Sequence, residues 1–425
     1  MSDPNENRAG YKETKVGWIP LEWKCAPLKE LGGFLKGAGI TKSQLTSHGV
    51  PAVRYGDIYT THNIVVQKFV SFVDKQTSEQ ATPLHCGDIV FASSGETAKE
   101  IGKCAAVLSR TKCVAGGDTI VFRPSSGDSH WFAAFLNSNS PRRELLRVAQ
   151  GQSVVHVYES NLRELFVAVP SELEQEEVAA ILVDWDKAIC QIAELITAKR
   201  KEKKALMQQL LTGKKRLPGF EHSKETTPTR TGEIPSDWKW THLGEAFKKR
   251  VERSGNVLPL MAITIDSGMV RRDSIERRVD SKLTESDNLL ARKGDIAYNT
   301  MRMWQGAVGV AEEDCHVSPA YVVCSPEAAV ADSEFYYYWF KSAEGLHLLW
   351  SYSYGITGDR LRLYAADFSL VPAPLPSLEE QKAIVAVLKA AEAEIDQLDQ
   401  KQSALKQQKK ALMQKLLTGQ VRVKV

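Results

Sequence analysis

The 425-residue sequence predicts an α+β protein with an internal pseudo-two-fold repeat: two globular mixed α/β domains separated by two long helices that form an antiparallel coiled coil. Three observations predict it. Apolar residues recur in steps of four and three over two stretches of about 40 residues each. Both stretches end in nearly the same words, KKALMQQLLTG from Lys203 and KKALMQKLLTG from Lys409, which marks a duplicated unit. Before each of them lie strand-like apolar runs broken by Gly and Ser.

The chain opens with MSDPNENRAGYKETKVG, polar and without the apolar segment of a signal peptide, so residues 1–16 are expected to form a disordered tail. GWIPLEW begins the first globular domain, residues 17–170. Within it IVVQKFVSFV and GDIVFASSGE read as strands, and WFAAFLNSNSPRRELLRVA as two short helices broken at Ser140-Pro141. The first long helix is expected over 171–213. Ser171 and Glu174 make an S-x-x-E capping box after the helix-blocking Pro170, and Gly213 suits the left-handed position beyond a helix end. Its seam is Val178, Leu182, Trp185, Ile189, Ile192 and Ile196, resuming after Lys199 and Lys203 at Leu206 and Leu210.

KKRLPGFEHSKETTPTRT has no periodicity and makes residues 214–231 a linker. GEIPSDW then echoes GWIPLEW and opens the second domain, residues 232–376. There GDIAYNT answers GDIVFAS, EFYYYWFKS answers HWFAAFLNS, and LVPAPLPSLEEQ answers VAVPSELEQ. The second helix is expected over 377–419, with the seam Ile384, Leu388, Ile395, Leu398, Leu405, Leu412 and Leu416 and a short tail, 420–425, beyond it. The two seams keep a constant offset of 206 residues. Outside the helices the halves share little beyond these anchors. A scaffold that repeats while its globular parts diverge suggests two similar modules reading different targets.

Lys and Arg number 55 against 52 Asp and Glu, a net charge of +3, so binding to a polyanion must come from local placement rather than from a basic surface at large. The seven cysteines are scattered and never form C-x-x-C, as in a reducing compartment. No apolar run reaches the roughly eighteen residues of a membrane span, so the protein is expected to be soluble and cytoplasmic. KGAGITKS lacks the glycines of a phosphate-binding loop, and no N-P-P-[FY], G-x-S-x-G or H-E-x-x-H occurs, so no catalytic residues are assigned. His85-Cys86 and Cys315-His316 lack the close ligand pairs of a zinc site, and no metal is expected. AKRKEKK, from Ala198, reads as a solvated helix face whose lysine stems cover the seam.

Arg, Asn and Gln can bond base edges in pairs of hydrogen bonds. On that chemistry the candidate DNA-binding residues are Arg271 and Arg272 (with Arg277 and Arg278 beyond), Asn299, Arg302 and Gln305 in the second domain. The matching segment of the first offers Ser93, Ser94, Lys99 and Lys103, with Arg54 and Tyr55 from VRYGD.

The duplicated VPSELEQ and LPSLEEQ helix starts, the KKALMQ-x-LLTG ends, the I-P-x-x-W openings and the paired GDI segments span nearly the whole chain. In these features it resembles the DNA specificity subunit of type I restriction–modification enzymes. The resemblance implies two target-recognition domains, each reading one half of a bipartite asymmetric site in double-stranded DNA. It implies helices that hold the domains apart and dock two methyltransferase subunits, with motor–nuclease restriction subunits joining the complex. S-adenosylmethionine, ATP and Mg²⁺ are then used by those partners and not by this chain, which is a non-catalytic subunit. No family pattern fixes the base-contacting residues. The competing readings are a coiled-coil adaptor without DNA recognition and a solitary DNA-modifying enzyme.

Overall fold

Both stretches with an apolar seam fold as single helices, Glu172–Leu210 and Leu378–Leu417. The structure is a computed structural model; it describes residues 5–95, 97, 100–149, 155–221, 223, 225–254, 257–275, 287–358 and 360–425. Its contacts divide the chain into two units, Met1–Ile192 with Lys401–Val425, and Ala193–Gln400, so each unit holds part of each long helix. In both units the helix parts run antiparallel. In the second, Lys199, Arg200 and Lys203 pair with Glu394, Asp399 and Glu392, and Arg216 pairs with Glu380. In the first, Asp186 pairs with Lys409 and Glu174 with Arg422. Positions that rise along one helix fall along the other.

Of the seam residues, Val178, Leu182, Ile196, Leu210, Ile384, Leu388, Ile395 and Leu416 are buried. Trp185, Ile189, Ile192, Leu206, Leu398, Leu405 and Leu412 are half-buried. The gradient has a simple cause. Two helices alone cover one side of a knob, and the most enclosed knobs, Leu182 and Leu388, also belong to the core of a globular domain.

Each domain is built on two sheets. In the first unit strands Cys104–Ala106, Ile89–Ala92, Thr119–Pro124 and Gly32–Lys36 lie side by side, all antiparallel. The second unit repeats the order with Val308–Val310, Ile296–Asn299, Tyr321–Pro326 and Phe247–Arg250. The other sheet of each unit contains a parallel pair, Val50–Val53 with Cys113–Ala115, and Leu260–Thr264 with Cys315–Val317. Between the first sheet and helix Ser129–Leu136 pack Phe122, Trp131 and Phe132; in the second unit Phe247, Phe335 and Tyr336 do the same against helix Ser333–Phe340.

Three expectations need correction. The tail over 1–16 is ordered through its described residues, 5–16. Strand Tyr11–Thr14 pairs with Gly17–Pro20, and the fully buried Asn5 donates its amide to the carbonyl of Thr418 at 3.0 Å. Polarity there reflects hydrogen bonding to backbone rather than disorder. Segment 214–231 likewise carries strand Thr226–Thr229, paired with Gly232–Pro235 in the same hairpin. The break between short helices falls at Asn137-Ser138, not at Ser140-Pro141. Pro141 sits in the first turn of helix Asn139–Val148, where a missing N–H leaves no bond unmade.

Candidate nucleic-acid interface

The repeated words of the sequence come together as one clasp, built once in each unit. In the first, the Trp23 indole N–H donates to Glu174 at 3.0 Å, and Arg422 places Nε and Nη2 on the same carboxylate at 2.5 and 3.0 Å. In the second, Trp238 donates to Glu380 at 2.9 Å, and Arg216 places Nε and Nη2 on it at 2.6 and 2.9 Å. Each guanidinium also lies over its indole, 5.8 Å and 5.5 Å from the centroid. Burial alone would lower the Arg216 guanidinium, but hydrogen bonds to Asp237 and Glu380 hold it above its usual range. The S-x-x-E motif is therefore half a capping box. Ser171 and Ser377 do accept from the backbone N–H of Glu174 and Glu380, but the glutamate side chains serve the clasp. The next residue ties the helix to the domain: Gln175 accepts from the backbone of Asp128, and Gln381 from that of Asp332.

Gly213 and Gly419, at φ +69° and +68°, close the helices against the I-P-x-x-W turns. A Cβ on Gly213 would stand 2.4 Å from Pro235 Cδ, and one on Gly419 would stand 2.5 Å from Pro20 Cγ.

The GDI segments are turns that set the course of the chain beyond them. Gly87 and Gly294 take φ of +97° and +90°, and their carbonyls accept from Ser129 and Ser333 at 2.6 Å. Asp88 and Asp295 are buried, each neutralised by an arginine fork, but from different strands: Arg123 in the first unit and Arg250 in the second. The segment beyond each turn is then held by the backbone of a distant loop. Val157 donates to Ser93 at 3.0 Å, and Leu363 donates to Thr300 at 2.9 Å.

On this frame the expected contact residues divide. In the second unit Arg302 and Gln305 are exposed, and among the described residues their side chains have no hydrogen-bond partner. Asn299 is half-buried and accepts from the backbone of Met301. Arg271 is exposed and paired with Glu313 at 3.0 Å, and Arg272 is half-buried. In the first unit Ser93 is half-buried, and Ser94 turns inward, 4% exposed, with its hydroxyl 3.0 Å from His156 Nδ1. That burial corrects the expectation that Ser94 faces a ligand. Arg54 is engaged by Asp57 at 3.1 Å and Ser71 at 3.1 Å, leaving Tyr55 exposed beside it. Lys103 is half-buried. Lys99, Arg277 and Arg278 lie outside the described residues.

One group was missed. The loop that holds Thr300 carries Tyr354, Ile356 and Tyr364, all exposed, with Ile356 fully so, together with Arg360 and Arg362. Tyr354 and Arg362 exchange backbone hydrogen bonds of 3.1 and 3.0 Å, and the rings of Tyr354 and Tyr364 lie 5.6 Å apart. Aromatic and basic side chains interleaved in SYSYGITGDRLRLY were the available signal.

Burial pushes the thiols of Cys104, Cys315 and Cys324 up to about 12 and that of Cys113 up to about 11. These four are packed apolar groups at neutral pH. Among the described residues no three His, Cys, Asp or Glu side chains gather to hold a metal ion, and no helix is long and apolar enough to cross a membrane.

Comparison with known proteins gives the same twofold division. The family model for the type I restriction modification DNA specificity domain matches residues 20–200 and again residues 235–407. A Methanocaldococcus jannaschii protein provisionally named the type I restriction enzyme MjaX specificity subunit is 25% identical over 437 residues, covering 97% of each chain. The S subunit of a type I restriction–modification system from M. genitalium shares the fold at a TM-score of 0.56 and 16% identity, over 98% of this chain and 99% of that one. A chain from the assembly of a type I R-M system does so at a TM-score of 0.59 and 20% identity, over 95% and 99%.

Proposed function

This chain belongs to the type I restriction modification DNA specificity family, whose pattern it carries twice, and from that premise we propose that its two target-recognition domains read the two halves of one bipartite, asymmetric site in double-stranded DNA. It is the specificity subunit of such a system. The observation that carries the reading is a common frame with unlike contents. The clasp and the GDI turn recur in both units, while the segments they hold carry different side chains, a half-buried Ser93 and an inward Ser94 in one and a half-buried Asn299 with exposed Arg302 and Gln305 in the other. Exposed Arg and Gln address base edges, and exposed aromatics and arginines beside them suit stacking and phosphate contact.

A net charge of +3 gives few phosphate contacts, so the chain alone binds DNA weakly and depends on partners to enclose the duplex. Those partners are two methyltransferase subunits docked on the long helices and, for restriction, motor–nuclease subunits. S-adenosylmethionine, ATP and Mg²⁺ belong to them, and this chain performs no catalysis. Joining two readers in one chain makes the second half-site contact intramolecular, which raises affinity for the full site without new contacts.

The test exchanges residues 24–168 for the same segment of a relative of different specificity and sequences methylated DNA from cells that carry the hybrid with its methyltransferase. One half of the methylated motif should change and the other should persist. A hybrid that alters both halves, or neither, overturns the assignment of one half-site to each domain.

A further inference from the structure

Each unit has a cleft where the paired helices meet the globular domain, and the two clefts are copies of one another. In the first unit Lys406, Lys409, Asp186 and Ile189 line it. In the second, Arg200, Lys203, Glu392 and Ile395 occupy the same helix positions, 206 residues away. Their charges have diverged. The first cleft, a cavity of about 380 Å³, gathers Lys103, Arg142, Lys406, Lys409 and Lys410 around a single carboxylate, Asp186. The second gathers Arg200, Lys203 and Lys204 with Glu392, Asp396 and Asp399.

The bonding differs accordingly. In the second cleft Lys203 and Tyr338 both reach Glu392, and Arg200 pairs with Asp399 at 2.8 Å. In the first, Cys190 and Ala193 stand where Asp396 and Asp399 would be, and Ala134 stands in place of Tyr338. Lys409 takes Asp186 at 2.5 Å, Lys406 donates to Gln402 at 2.7 Å, and Arg142 donates to the carbonyl of Ile101. Among the described residues the ammonium groups of Lys103 and Lys410 have no hydrogen-bond or ion-pair partner. Lys103 follows Gly102 as Ala307 follows Gly306, and the space above the two glycines is bounded by Leu145 and Arg142 in one unit and by Leu346 and the stem of Lys341 in the other. Burial, with Arg142 nearby, lowers the Lys103 pKa against the opposing pull of the Glu100 carboxylate.

A cavity that concentrates positive charge and withholds its neutralising acids is matched by an anion. We propose that the first unit's cleft is a binding site for a phosphate-class oxyanion, with Lys103 and Lys410 as its principal ligands, and that its copy in the second unit has lost this capacity by internal neutralisation. The anion is either a free polyphosphate or a phosphodiester of the bound duplex.

The full-length chain is titrated with pyrophosphate by calorimetry at low ionic strength, as wild type, as Lys103→Met with Lys410→Met, as Lys103→Arg, and as Lys204→Met in the opposite cleft. The double variant should lose at least tenfold in affinity, while Lys103→Arg and Lys204→Met keep it. Salt titrations of duplex binding by the chain with its methyltransferase then separate the sources. If a phosphodiester occupies the site, the double variant flattens the slope of log K against log salt by up to about 1.8, or 0.9 for each contact. An unchanged slope assigns the site to a free polyphosphate. The proposal fails if pyrophosphate does not bind the wild type, or if Lys204→Met weakens it as much as the double variant. Impaired methyltransferase assembly in the double variant, without pyrophosphate binding to the wild type, would replace it with an acidic protein segment as occupant. The pyrophosphate titration uses this chain alone, so its result is independent of whether the domains read DNA.

Discussion

The clasp around Trp23 and the clasp around Trp238 make the same bonds to their glutamates, whereas the segments beyond the two GDI strands differ in backbone as well as in side chains, a two-residue strand at Ser94–Gly95 in one unit and a turn of 3-10 helix at Met303–Gln305 in the other. Indole, glutamate and arginine recur in both clasps with the same donors and acceptors. Beyond the turns, one unit presents an inward Ser94 and the other an exposed Arg302. The difference separates two kinds of residue. A buried ion pair holds its identity because removing either partner leaves the other charge uncompensated. An exposed side chain on a fixed backbone changes at little cost, so specificity can diverge while the frame stays.

The largest losses are expected at the clasp. Glu380→Ala leaves the buried Trp238 indole N–H without its acceptor and the Arg216 guanidinium, only 8% exposed, with Asp237 alone, and should cost about 3–5 kcal/mol. Glu174→Ala likewise removes the acceptor of the Trp23 N–H but leaves Arg422, 37% exposed, with Glu22 and water, so its loss should be smaller by about 1 kcal/mol or more. Denaturant unfolding measures both, and equal losses would show that exposure does not distinguish the clasps.

The seam sharpens the comparison next. Ile395→Asp adds an acid beside Glu392, Asp396 and Asp399, and should cost about 3–4 kcal/mol. Ile189→Asp puts the same group beside Lys103, Lys406 and Lys409, and should cost about 1–2 kcal/mol less, as measured by unfolding and by assembly with the methyltransferase. A greater loss at Ile189 would contradict the charge difference between the clefts.

Gly213→Ala and Gly419→Ala test the opposite claim, that the turns are equivalent. Each variant forces a left-handed alanine against a proline, and each should lose about 2–3 kcal/mol. Melting curves that differ strongly between the two would break the equivalence.

The smallest effects belong to the readers. Arg302→Ala should leave stability unchanged and relax discrimination by about 1–3 kcal/mol at one position of a half-site. Arg54→Ala should instead remove about 1 kcal/mol of stability and leave the motif intact, because its guanidinium is bonded to Asp57 and Ser71. Methylated-motif sequencing and thermal unfolding, run on both variants, decide between the roles.

The helices were legible because a seam of period 3.5 is a local property, visible from Val178 to Leu210 without knowing the partner. The parts of the clasp were legible as repeated words, but not their meeting. Trp23 and Glu174 are 151 residues apart, and Arg422 lies another 248 beyond Glu174. Local rules even mislead there: S-x-x-E reads as a capping box, while the glutamate side chain answers to an indole and an arginine far away. Arg216 sits in a stretch without period, and nothing nearby marks it out. At the candidate interface Arg302 and Gln305, chosen for their chemistry, are exposed. Ser94 was misread because a strand of two residues shows no alternation, and Tyr354 and Ile356 were missed because their loop has neither period nor regular structure.

The two clasps also differ in the length of chain that each arginine closes. Arg216 reaches Asp237 across 21 residues of chain, whereas Arg422 reaches Glu22 across 400. Loop-closure entropy grows as (3/2)RT ln n, which sets the second closure about 2.6 kcal/mol above the first for a flexible chain. Contacts of short sequence separation also form earlier than distant ones. Arg216 can therefore engage Asp237 while most of the chain is still unstructured, and Arg422 only after segments 400 residues apart have been brought together. The same guanidinium thus closes a short loop in one half of the molecule and one of 400 residues in the other.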